Sequence, residues 1–66
     1  MAIAKTIEVI ANSTKGIEDA VRSGIAKVGE TVKNIEGAWV KDTKAVIKDG
    51  AVAEWRVTLV VTFIVE

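Results

Sequence analysis

The chain has no cysteine, no histidine and no proline among its 66 residues. Without cysteine there is no disulfide, and with histidine also missing a structural zinc site is close to excluded. The same two absences remove the thiolate, a strong nucleophile, and the imidazole, the commonest acid/base group of enzyme sites. The only serines, Ser13 and Ser23, stand beside turn or helix surface with no base at a triad-like spacing, so no enzyme is expected. Without proline, glycine is the only strong punctuation. Neither sign of charge is in excess, with nine basic and nine acidic residues. No Lys/Arg cluster offers the basic face that nucleic-acid binding needs. The apolar run "VTLVVTFIV" (57–65) is far too short to cross a bilayer as a helix. The opening "MAIAKTIEVIANS" carries Glu8 inside its apolar part and no positive run before it, unlike a secretory signal. These features lead us to expect a soluble, cytoplasmic protein with no membrane and no nucleic-acid partner.

What is present is apolar residue, 50% of the chain. The length allows one domain, residues 1–66. A chain this short buries too little surface to be comfortable alone, and with disulfides and zinc set aside, oligomerisation is the default means of support.

Three apolar patterns are separated by turn signals. Residues 3–11, "IAKTIEVIA", alternate with Ile3, Ile7 and Val9 on one face and read as a strand. "NSTKG" (12–16) follows as a turn and helix start, with Ser13, Thr14 or Gly16 as the N-cap and Glu18 and Asp19 where the helix dipole favours acids. Over 17–35, Ile17, Val21, Gly24, Ile25, Val28, Val32 and Ile35 recur at steps of three and four, the mark of an amphipathic helix about 28 Å long. Gly24 inside that stripe predicts close approach to a sheet. Residues 38–47 alternate again, and Asp49-Gly50 supplies the positive backbone angles of a hairpin turn. In the last strand, 51–65, every odd position from Ala51 to Val65 is apolar. Fifteen residues extend about 50 Å, whereas a compact chain of this size has a radius of gyration of roughly 11 Å. Such a strand must curl around the helix, run past its own domain into a neighbour, or both, leaving Val60 and Ile64 for other subunits to cover. The predicted fold class is α+β, ordered β-α-β-β, with a three-stranded antiparallel sheet wrapped around one amphipathic helix.

This order and these stretches resemble the dodecin family, from about residue 5 to residue 66. "KTIEVIANSTKGIEDAV" is similar to the family's first strand and helix entry, "IAKVGETVKNI" to its helix end, and "DGAVAEWRVTLVVTF" to its last hairpin and strand. No single motif is strong; the ordered set over the full length is fairly specific. The resemblance implies a small-ligand binding and sequestering protein that assembles as a hollow homododecamer, with a flavin (riboflavin or FMN) as the ligand. Two positions depart from the flavin-binding pattern. Where the family has "x-W-F-E-V", whose tryptophan stacks on the flavin, alignment on Val40 places Gly37 at the tryptophan and Trp39 at the glutamate. Where the family has the flavin-contacting glutamine of "Y-Q-V", this chain has Arg56, after Trp55. Members that look like this chain at both positions include forms described as calcium-binding. The alternative is therefore a flavin-free shell that binds ions such as calcium or another small molecule, or is mainly a structural assembly.

Gly37, Trp39 and Arg56 are the candidate ligand-binding residues. Positions 37 and 39 share a strand face, so Trp39 offers a displaced stacking platform, with Arg56 holding an anion or stacking on a ring. The competing reading is that Trp39 and Arg56 fill the vacated space themselves as a cation–π pair. Gly37 is either a helix C-cap or an opening left for a ligand. Trp55, in the apolar series, is read as core or interface packing. The acids Glu8, Glu18, Asp19, Glu30, Glu36, Asp42, Asp49 and Glu54 form no calcium-loop motif, so any metal site would draw carboxylates from several subunits.

Overall fold

The computed structural model describes residues 2–66. Strand β1 spans Ile3–Ser13, helix α1 Ile17–Val28, strand β2 Ile35–Lys48 and strand β3 Ala51–Val65. The sheet order is β1-β3-β2, with both outer strands antiparallel to β3. The β-α-β-β order and the antiparallel three-stranded sheet are those expected.

The odd series of β3 becomes the floor of the core. Val57, Leu59 and Val61 are 0% exposed, as is Ala20 of α1. Ile7, Val9 and Ala11 of β1 and Val21, Ile25 and Val28 of α1 pack around them. The helix lies on β1 and β3. Its contact is close at Gly24, where no side chain stands between helix and sheet. A Cβ built on Gly24 would stand 2.9 Å from Cβ of Ala11 and 3.3 Å from Cδ1 of Leu59. The predicted close approach at Gly24 is thus present.

The helix is shorter than its apolar periodicity predicts: it stops at Val28, not Ile35. Gly29 is the C-cap, its amide donating to the Ile25 carbonyl, and the Thr31 and Val32 amides both donate to Val28 O in a final turn. Asn34 then takes a left-handed φ of 63° and its carbonyl accepts from the Ile64 amide at 3.0 Å, which stitches the loop to β3. Val32 and Ile35 continue the helical spacing by coincidence: the first serves the loop and the second opens β2, opposite Phe63. At the other end Gly16 is the N-cap, with no side-chain hydrogen bond of its own. Ser13 does the capping work three residues back, accepting from the Lys15 and Gly16 amides and donating to Asp19 Oδ2 at 2.6 Å.

β2 and β3 meet at Asp49 (φ 52°) and Gly50 (φ 78°), the two positive angles a tight hairpin requires. The chain measures 52 × 19 × 14 Å, with a radius of gyration of 13.5 Å, well above the compact value. A helix of 12 residues covers only about 18 Å of that length. The distal end of the β2–β3 hairpin therefore runs on beyond the helix, carrying exposed Ile47 and Val52. Of the fates open to the long strand, running past its own core is the one adopted.

Candidate functional site

The regular alternation read over residues 38–47 is broken by bulges, and these decide where the candidate residues point. Register along β3 shifts between Ile35 and Gly37, between Val40 and Asp42, and between Val46 and Ile47. A bulge inserts one unpaired residue and exchanges the two faces of the strand beyond it. Ile35 is opposite Phe63, on the helix side with the core residues. After the first shift Gly37 stands opposite Thr62 and Trp39 opposite Val60, on the face turned away from the helix. Ala38 and Val40, opposite Val61 and Leu59, lie on the helix side. Lys41 is the extra residue of the second bulge; beyond it Thr43 and Ala45 take the helix side, opposite Val57 and Trp55.

Gly37 is not a helix C-cap, since it lies inside β2 and the cap is Gly29. A Cβ at Gly37 would meet nothing within 4 Å. Beside that open space Trp39 is 62% exposed, the environment of a side chain that has not been folded into a core. Trp55, by contrast, is partly buried between Ser13 and Ala45, as its place in the apolar series requires.

Arg56 lies on the same outward face but in a different row, between Asn12 of β1 and Lys44 of β2. It is four β3 residues from Val60, so about 13 Å separates its row from that of Trp39. Its Nε donates to Asn12 Oδ1 at 3.1 Å, and a terminal guanidinium nitrogen pairs with Glu54 Oε1 at 3.0 Å. The expected cation–π pair of Trp39 and Arg56 is therefore not formed within a protomer: β3 register holds the two apart and Arg56 is already bonded. The structure brings Gly37 and Trp39 together and leaves Arg56 as a separate, partly neutralised cation.

Two residues beside Trp39 escape a reading of the sequence. Glu8 of β1 is opposite Val60 and so in the row of Trp39. Lys41 reaches across β3 to place its Nζ 3.1 Å from Glu8 Oε1. Thirty-three positions separate these two residues, and no local pattern in the chain pairs them.

A groove of about 360 Å³ also opens on the other side of the sheet, lined by Val9, Ala11, Ser23, Gly24, Lys27 and Val28 among others. None of the three candidate residues lines it. Among the described residues no group of three Asp or Glu side chains converges as a metal site.

A family model described as Dodecin matches residues 3–66. The dodecin of Thermus thermophilus is 29% identical over 62 residues, which is 94% of this chain and 90% of that one. Among solved structures, dodecin from Streptomyces coelicolor superposes with a TM-score of 0.94 at 29% identity, covering 98% of this chain and 93% of that chain. Dodecin from Streptomyces davaonensis gives 0.93 at 26% identity, covering 98% and 96%. With the match running from the first strand to the last residue, the chain is a member of the dodecin family.

Proposed function

We propose that this protein binds and sequesters a flat small molecule, with flavin (riboflavin or FMN) as the family-implied ligand, in a homododecameric shell and without turnover. One observation carries the reading: open space at Gly37 stands directly beside an exposed indole on the same strand face. An exposed tryptophan costs solvation that packing against a ring would recover, and such stacking contributes about 0.5–1.5 kcal/mol beyond area burial. In this reading Trp39 is the platform, Gly37 leaves room for the ligand, and Arg56 stands at the edge of the same face, where it meets an anionic or polar tail. Assembly supports the reading too. The hairpin beyond the helix and the exposed Ile47, Val52 and Val65 need covering, and a second copy of the chain has surfaces of the same kind.

A second reading follows from the departures at positions 37 and 56. A chain without a tryptophan at 37 fits the calcium-dodecin-like branch, a flavin-free shell holding ions, another small molecule or nothing. No carboxylate cluster exists within the described residues of one protomer, so an ion site here takes its oxygens from several copies.

Titration of riboflavin and FMN into the assembled protein, following flavin fluorescence, separates the two. Saturable quenching in the parent that is lost in Trp39→Ala supports the platform. No quenching by either flavin overturns it; a thermal midpoint that then falls on adding chelator supports the ion-holding shell, because a ligand bound only by the native state stabilises it.

A further inference from the structure

Beyond a stacking surface, a flat ligand needs partners for its polar edge. Arg56, which the resemblance sets at the family's flavin-contacting glutamine, is taken up by Asn12 and Glu54 in a row about 13 Å from Trp39. The row of Trp39 has its own polar pair. Glu8 lies two inter-strand spacings from Trp39, about 10 Å between backbones, with the small floor of Val60 between them. The bulge turns Lys41 onto the same face, where its ammonium reaches Glu8 at 3.1 Å. The two side chains are 46% and 53% exposed, so the pair is solvated and open to exchange with a ligand.

We infer that Glu8 and Lys41 form the edge-recognition pair of the Trp39 site, selecting planar heteroaromatics that carry an imide edge. A carboxylate is acceptor-only and an ammonium donor-only. Set side by side, they match a ring whose N–H is flanked by a carbonyl: Glu8 accepts from the N–H and Lys41 donates to the oxygen. The pyrimidine end of a flavin is such an edge. The inference rests on the proposed binding role of Trp39 and names the groups that would give that site its chemical selectivity.

The test compares riboflavin with N3-methylriboflavin, in which the N–H is blocked, on the assembled parent, Lys41→Met, Glu8→Ala and Trp39→Ala. The parent is expected to bind riboflavin at least tenfold more tightly than the methylated probe. Glu8→Ala should lose that preference and Lys41→Met should weaken both ligands about tenfold, with thermal midpoints unchanged in each. The probe pair on the parent needs no variant to fold. Equal binding of both probes by the parent, or affinities within twofold of the parent in Lys41→Met and Glu8→Ala while Trp39→Ala abolishes binding, overturns the edge pair and leaves the platform standing. Absence of riboflavin binding by the parent removes the platform and the edge pair together.

Discussion

β3 has two neighbours, and they treat it differently. Along β1 the register runs without a shift from Ile3 opposite Val65 to Ser13 opposite Trp55. Along β2 it shifts three times in a strand of 14 residues. The regular half is the half that carries α1. A slip of one residue there would turn Ile7, Val9 and Ala11 out of the core, so the pattern of burial fixes the pairing. β2 carries no such obligation: residues 36–44 are exposed on both faces in the protomer. Bulges are tolerated where packing does not forbid them, and they re-aim side chains. Here they put Gly37, Trp39 and Lys41 on the one face that the helix leaves free. Stability and the candidate site are thus divided between the two edges of one strand.

The sharpest way to break that comparison is to empty the core under α1. Leu59 is fully buried and bears on the space left by Gly24. Leu59→Ala should cost about 2–5 kcal/mol, against a total of roughly 3–10 kcal/mol for a chain of this length. Chemical denaturation at fixed protomer concentration, which holds the assembly term constant, should find the variant largely unfolded or its midpoint sharply lowered. A loss under about 1 kcal/mol would mean that the protomer core is not what holds the chain, and that the contacts between copies are.

The two edges also differ in how much of them the sequence discloses. The β3 core was legible because eight apolar residues alternate without interruption from Ala51 to Val65 and only a half-buried strand does that. Gly24 was legible because a glycine inside an apolar helical stripe has few uses other than close packing. The helix end was not, since Val32 and Ile35 keep the 3.6-residue spacing while Gly29 and the left-handed Asn34 end the helix. Trp39 and Gly37 were legible as residues of interest because one of only two tryptophans stands two positions from a glycine, on the same strand face. Their facing was read correctly for the wrong span, because a bulge leaves no composition signal: alternation over 38–47 predicts Trp39, Thr43 and Ala45 on one face, and the extra residue at Lys41 separates them. The Glu8–Lys41 pair depends on that bulge and on β1 lying two strands away, so it exists only once the sheet is built.

A smaller effect is expected at Gly24, where the regular half is tested by adding one carbon instead of removing several. Alanine in place of a helical glycine normally gains about 0.8–1.0 kcal/mol of helix propensity. The new Cβ would stand 2.9 Å from Cβ of Ala11, an atom fixed to the backbone of β1. Helix and strand must separate, and overpacking of this kind costs about 1–3 kcal/mol. Gly24→Ala should therefore lower the stability by about 1 kcal/mol. A gain in thermal midpoint would show that α1 can ride up from β1 without strain, and that the small-residue seam is not what sets their distance.

The smallest effect on stability, and the most informative, belongs to Gly37, the counterpart of Gly24 on the irregular edge. Nothing lies within 4 Å of a Cβ there, and its φ is not in the left-handed range. Gly37→Ala should leave stability within about 0.5 kcal/mol, with any change favourable, since glycine in a strand gives up more conformational freedom than alanine. Gly37→Trp should be tolerated as well, and it places a second indole on the strand face of Trp39. If the open space is a ligand's, Gly37→Ala weakens riboflavin quenching without touching the thermal midpoint, while Gly37→Trp strengthens it by adding a second stacking surface. If the space is filled by a neighbouring copy in the shell, both variants lower the assembly's thermal midpoint and the tryptophan does so more. The two outcomes move different observables, so one pair of substitutions tells whether the bulged edge of β3 was freed for a ligand or for a subunit contact.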